Sequence, residues 1–327
     1  MNQPDASDVH VNKLLTNLSI AYMQEESNFI ADRVFPFVFV DKQSDVYARY
    51  NKDAWFRDHG DRMRRAPGTR AAQTGWTIDT TQTYRCLNEA IGTSIPDELR
   101  GNADAVFNLD ADATRLVTQA QLIRRERMFA SDFMTTGVWT TEKTGTTNFV
   151  KWNDYANSDP FADIEDWKNE MRVLIGRYPN KLVMGELIWR RLKNHPDFLD
   201  RIKGGATPGN PALFTKQMLA SWWEIDDILI ELATYNTAAE KETPAPVLAD
   251  IFTDKLLLLY TPASASLLTP AAGYTFVWRP LVNGGAVQYI RRYREDPNNR
   301  DVVESFSYFD QVATAADAGL YAADVVD

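Results

Sequence analysis

Hydrophobic positions change their rhythm several times along this chain, and each change predicts a different element. Over "VNKLLTNLSIAYMQ", Leu14, Leu18 and Tyr22 recur at helical spacing with Leu15 beside them, predicting a short helix. "NFIADRVFPFVFV" follows as a nearly continuous aromatic and β-branched run, broken by Pro36. Proline cannot donate to a β-ladder, so Phe29–Val40 predicts an extended arm or an edge strand. An extended apolar arm needs a surface, and the surface expected here is another copy of the same chain. "SDVYARYNKDAWF" then alternates, with Val46, Ala48 and Tyr50 opposite Tyr47 and Arg49. "GWTIDTTQTYRCLNEAIGTSIP" reads as the returning strand of a long hairpin over 41–95. Its tip, "RDHGDRMRRAPGTRAAQT", carries Gly60, Pro67, Gly68 and the arginines Arg57, Arg62, Arg64, Arg65 and Arg70. A two-stranded ribbon is marginally stable alone, and a long excursion without its own core usually serves an interaction.

The strongest helical period covers 109–136. Asp110 or Asp112 can cap it, and Leu109, Ala113, Leu116, Ala120, Ile123, Ala130 and Phe133 recur at three- and four-residue steps. Such a helix runs roughly 40 Å at about 1.5 Å per residue and acts as a spine. Arg124, Arg125 and Arg127 fall on its polar side. A new unit then begins: a helix at 161–176, a buried strand at Lys181–Met184, two short helices split by Pro196, then a helix and further strands. That order predicts one compact α+β subdomain over about 160–270. Strands return after it, turning at Asn283-Gly284-Gly285 and at "EDPNNRD". Ala313–Asp327 is small and acidic and predicts a weakly structured tail.

Composition narrows the function. A chain of 327 residues leads us to expect two linked subdomains. The net charge of −10 argues against the whole surface wrapping nucleic acid, without excluding a local basic patch. Cys86 stands alone, so neither an intrachain disulfide nor a cysteine metal cluster can form, as a reducing cytoplasm permits. No run approaches the roughly 18 apolar residues of a membrane span. "MNQPDASDVH" lacks the pattern of a secretion signal.

Candidate chemistry is sparse. His10, His59 and His195 fall in a tail, a loop and a helix break, and no serine elbow, zinc helix or phosphate loop is present. Asp226 and Asp227 are adjacent in a predicted strand, so their side chains face opposite ways and read as structural. "GGATPGN" at 204–210 lacks the spacing of a nucleotide fingerprint and reads as a surface loop. Cys86 has no neighbouring histidine and reads as an inert thiol. We therefore expect no catalytic, cofactor-binding or metal-binding residues. The arginine tip has three readings: a solvated loop, a phosphate contact, or a positive tip meeting acidic surface on a partner. The last is favoured, because the tip lacks interleaved aromatics and the chain is acidic.

The order of these elements resembles the major capsid proteins of tailed bacteriophages, with the Hong Kong 97-type fold. The text is similar too: "FIADRVFP", Val40–Ser44, Tyr47, Trp55–Asp58 and "RAPGT" at 65–69 match the opening of a large group of phage coat proteins. The similarity is densest over about 14–135. The resemblance implies an α+β chain with an N-terminal arm (1–40), an extended β-loop (41–95) lying over an adjacent subunit, and a peripheral domain (96–159) with spine helix 110–136. An axial domain (160–275) and a return to the peripheral domain with a C-terminal tail (276–327) complete it.

The implied contacts between subunits use Phe29, Ile30, Val34, Phe35, Phe37 and Val38 from the arm. Trp55, Phe56, Arg57, Arg62, Arg64, Arg65 and Trp76 supply them from the loop. Many copies would form pentamers and hexamers of an icosahedral head around double-stranded DNA, assembled in the host bacterial cytoplasm. The implied partners are a scaffolding protein, a portal and decoration proteins; no long scaffolding segment precedes the arm. Some family members cross-link covalently through a lysine and an asparagine, a pair that maps onto no position here. The rival readings are an encapsulin-like nanocompartment shell and a soluble enzyme using 160–270.

Overall fold

The computed structural model describes residues 23–103, 108–205, 214–238, 245–265, 269–279 and 287–327, the side chains of 202–205 excepted. The helix expected around Leu14–Tyr22 and the turn at Asn283–Gly285 lie outside these residues, as does most of the 204–210 loop. Two five-stranded sheets organise the chain, each assembled from strands distant in sequence.

The first sheet runs β1 (Phe37–Val40), β11 (Gly273–Trp278), β13 (Arg300–Ala313), β12 (Tyr289–Glu295), with β4 (Leu87–Pro96) also on β13. β1 sits at its edge, parallel to β11, where a preceding proline is tolerated; Pro36 donates nothing and its carbonyl accepts from Thr275 N at 3.1 Å. β4 pairs with β13 from Leu87 to Pro96, so the second half of the expected return strand belongs to this sheet and not to the hairpin. The hairpin itself is β2 (Ser44–Tyr50) against β3 (Ile78–Arg85).

The second sheet runs β5 (Thr141–Thr144), β14 (Gly319–Ala323), β10 (Leu256–Leu259), β6 (Lys181–Gly185), β7 (Asp227–Glu231). β10 reads Leu-Leu-Leu-Leu because it is covered on both faces. Leu256 and Leu258 enter one core with Trp152, Trp167 and Trp223, while Leu257 and Leu259 enter another with Phe129 and Phe252. The helices α5 (Pro160–Ile175), α6 (Glu186–Lys193), α7 (Pro196–Gly205) and α8 (Lys216–Trp223) accompany this sheet. α5 starts on Asp159, whose carboxylate accepts from Phe161 N and Ala162 N, and stops at Gly176, where φ is 70°.

Three expectations change here. The 313–327 tail is an integral strand: β14 lies between β5 and β10, and Leu320, Tyr321, Ala322, Val325 and Val326 are buried. The unit expected over 160–275 therefore also draws on 141–144 and 319–323, while β11 from Gly273 onward joins the other sheet. The spine helix α4 spans Leu109–Phe133 and is capped by Asn108, whose side chain accepts from Ala111 N. Its buried stripe steps by four, through Ala113, Val117, Gln121, Arg125, Phe129 and Phe133, and Leu116 is exposed. The front of this stripe packs on Ile95 and Val303 of the first sheet, and its end joins the second core. Gln121 bridges β4 and β13 by donating to Glu89 O (2.7 Å) and Ser305 O (3.2 Å).

At the front of α4, Asp301 meets Arg100 (2.9 Å) and Arg292 (2.5 Å), and Asp110 meets the same two arginines at 2.9 and 3.2 Å. This network ties α3 (Asp97–Asn102), α4, β12 and β13 together.

Candidate functional site

The residues expected to touch other subunits separate into two groups. Phe29, Ile30, Val34 and Phe35 are buried in their own subunit, between 0% and 7% exposed, which corrects the reading of this stretch as an arm lying on other copies. Ala31–Val34 forms a single turn, α1, and the run packs on the spine. Phe35 meets Phe133 edge-on at 5.0 Å and Phe129 at 5.5 Å between ring centres. The end of α4 shares its core with this run, and both ends of the turn are fastened. Glu126 Oε2 accepts from Ile30 N and Ala31 N, both at 2.9 Å. Lys181 Nζ donates to Arg33 O (2.6 Å) and Val34 O (2.9 Å), satisfying carbonyls that a short helix leaves open. Upstream, the Gln24 amide exchanges two hydrogen bonds with Thr234, at 2.6 and 2.9 Å. Phe37 and Val38 are half-buried in β1.

The loop group is exposed. Trp55, Phe56 and Trp76 are 57%, 61% and 63% exposed, and Arg57, Arg62, Arg64 and Arg65 of the same loop are exposed too, Arg64 beside Asp61 at 3.3 Å. Met63 and Ile78, not singled out in the sequence, are exposed in the same loop. Trp55 sits in α2 (Lys52–Phe56) and meets Tyr50 at 6.2 Å. The base of the loop leans on its own subunit, with Lys52 paired to Asp317 at 2.5 Å. The Phe56 ring stands over Gly176, where a Cβ would come within 3.2 Å of it. Above that base, large aromatic surface and positive charge are left without cover within the subunit, the composition of a contact surface.

The catalytic candidates resolve into structure. Ser158, His195 and Asp197 line up in nucleophile, base and carboxylate order: Ser158 Oγ to His195 Nε2 is 3.0 Å and His195 Nδ1 to Asp197 Oδ2 is 3.6 Å. The hydrogen bonds run the wrong way for attack. Nδ1 accepts from Asp197 N, so Nε2 carries the proton and donates to Ser158, whose hydroxyl donates to Asp154 O at 2.6 Å. His195 is fully buried and burial lowers its pKa, keeping it neutral. Cys86 is buried with its thiol pushed up to about 12 by burial, which makes it the inert group expected. Asp227 pairs with Arg33 at 3.3 Å. A shallow groove of about 530 Å³ lies beside the last residue, and its lysine, Lys151, is already paired with Asp327 at 2.5 Å.

One buried feature had no sequence signal. Glu126 and Glu231 are each 1% exposed, although a glutamate in a helix or at a strand end reads as solvated. Arg125 beside them is buried too, paired with Asp32 and stacked over Phe309 at 5.3 Å.

Comparison with known proteins places this arrangement. The chain is 26% identical over 317 residues to the major capsid protein of Burkholderia phage BcepMu, covering 94% of both chains. Its fold matches a phage-related protein of Bordetella bronchiseptica RB50 (TM-score 0.66, 19% identity, 92% and 93% of the two chains). It also matches the capsid structure of cyanophage P-SCSP1u (0.60, 10%, 98% and 95%). The SrpI encapsulin of Synechococcus elongatus PCC 7942 shares the fold at 0.57, with 11% identity over 99% and 96%. No family model matches. The chain thus has the phage-capsid fold and is similar to a phage major capsid protein over nearly its whole length, as the opening motifs imply.

Proposed function

We propose that this chain is a coat subunit, many copies of which assemble as pentamers and hexamers into the icosahedral head of a tailed phage. The near end-to-end similarity to a phage major capsid protein carries this reading. The loop supports it. Trp55, Phe56 and Trp76 each offer large apolar area, worth about 1.5–3 kcal/mol when fully covered, and an adjacent subunit is the cover available in a closed shell. Arg57, Arg62, Arg64 and Arg65 then meet acidic surface on that neighbour. The head encloses double-stranded DNA without sequence-specific contacts, in keeping with a net charge of −10. A scaffolding protein, a portal and decoration proteins complete it, and assembly takes place in the host bacterial cytoplasm.

An encapsulin-like shell around protein cargo is the second reading, favoured by the shared fold alone. Electron microscopy of the purified chain, with and without co-expressed phage head genes, tests both. Shells, rings or tubes of one repeating subunit are expected, with nuclease-protected DNA in filled heads. Protein cargo in place of DNA would select the second reading, and a uniform monomer or dimer in every condition would overturn both.

A further inference from the structure

The single turn α1 is too short to persist by itself, and the carboxylate that holds its start lies in an unusual setting. Glu126 Oε2 takes the N–H groups of Ile30 and Ala31 at the start of α1, while its Oε1 is buried without a hydrogen-bond partner. Glu231, at the end of β7, repeats the arrangement: Oε2 accepts from Phe252 N at 3.3 Å, the backbone of Ala233 also favours its anion, and Oε1 is buried and unpartnered. The charged groups facing this pair are Asp32 from α1, Arg125 from α4 itself and Asp250 from β9 (Leu248–Asp250). Arg125 pairs with Asp32 through Nη1 and its charge also favours the Glu126 anion, but this one cation faces three carboxylates, Asp32, Glu126 and Glu231, and so does not neutralise both glutamates. Two buried carboxylates so placed do not both ionise at low cost.

We propose that Glu126 and Glu231 hold one proton between them at neutral pH, and that its loss in alkali loosens the 29–35 segment from the spine helix. Glu126 is the partner that ionises first, because its two N–H donors both lie at 2.9 Å while Phe252 N lies 3.3 Å from Glu231; Glu231 holds the proton to higher pH. Burial, and then the charge of Glu126, push the Glu231 carboxyl up to about 8. Burial pushes Glu126 up to about 7, against the pull of the two N–H bonds. Both groups bind their proton more tightly folded than unfolded. Their contribution is therefore fully present below the ordinary glutamate value of 4.5 and is lost as pH rises through about 8. The segment leads straight into β1 and the loop, so in a shell the pair would set how firmly the loop is rooted; that step alone rests on the coat-subunit reading.

Hydrogen exchange of the purified chain at about pH 6 and about pH 9, as protection factors over residues 26–36, reads the latch directly. One pK unit is a factor of ten, so a fall of about tenfold or more is expected in the natural chain. Glu231→Gln, whose amide supplies the missing donor, should show no fall. An equal fall in both chains, or none in the natural one, would overturn the proposal. If that variant does not fold, difference infrared spectra of the natural chain decide. A protonated-carboxyl band lost between the same pH values supports the latch, and no such band rejects it. Neither readout requires shells, so a chain that never assembles yet loosens in alkali would keep the latch and remove the coat reading.

Discussion

A phenylalanine in an apolar run can serve the subunit or its neighbours, and Phe35 and Trp76 mark the two cases. Phe35 is 1% exposed against Phe129 and Phe133, so Phe35→Ala should cost about 3–5 kcal/mol in denaturant unfolding, through lost transfer energy and a cavity. Trp76 is 63% exposed, so Trp76→Ala should change folding stability by no more than about 0.5 kcal/mol while lowering particle yield. A small cost at Phe35 would restore the free-arm reading that the structure overturns. Sequence alone gave both residues to the same surface, because a run of aromatics reports the need for cover and not the source of it. Glu126 was illegible for the opposite reason: its partners, Ile30 N and Ala31 N, lie 96 and 95 residues away.

Among the elements, those with a strong local rhythm were readable. The spine helix, α5, the buried strand β6 and the hairpin β2–β3 all stand close to where the pattern put them. The last strand was not. "GLYAA" in β14 has small residues because space is short there: a Cβ on Gly319 would come within 2.1 Å of the Trp139 ring. Small side chains resemble a loose tail until the neighbouring ring is in place. Deleting 319–327 removes the strand between β5 and β10 together with buried Leu320, Tyr321, Val325 and Val326. At about 1.5–3 kcal/mol for a large side chain, the loss is on the order of a domain's whole net stability of about 5–15 kcal/mol. The truncated chain should be insoluble or lack a cooperative thermal transition. A soluble, cooperatively folding product would show that β14 is dispensable.

For the whole molecule, the contrast is between an acidic chain and a basic loop tip flanked by the exposed aromatics Trp55, Phe56 and Trp76. Charge at an interface sets encounter and register more than affinity, and an isolated exposed pair contributes only about 0–1 kcal/mol. Repetition around a shell multiplies that small term. Reversing Arg62, Arg64 and Arg65 to glutamate should leave circular dichroism and melting temperature unchanged, since all three are exposed, but sharply reduce particles in sedimentation. An unaltered particle yield would remove the tip from the contact.

By itself, the sequence determined the kinds of element, their order and the family resemblance, because helix, strand and turn follow from spacing over a few residues. Only the tertiary structure decided who covers whom: that Phe29–Phe35 belongs to the spine, that β4 and β14 complete sheets with strands far from them in the chain, and that Glu126 and Glu231 are buried. Burial and strand pairing depend on contacts between residues tens to hundreds of positions apart, and local periodicity holds no record of which partner lies across them.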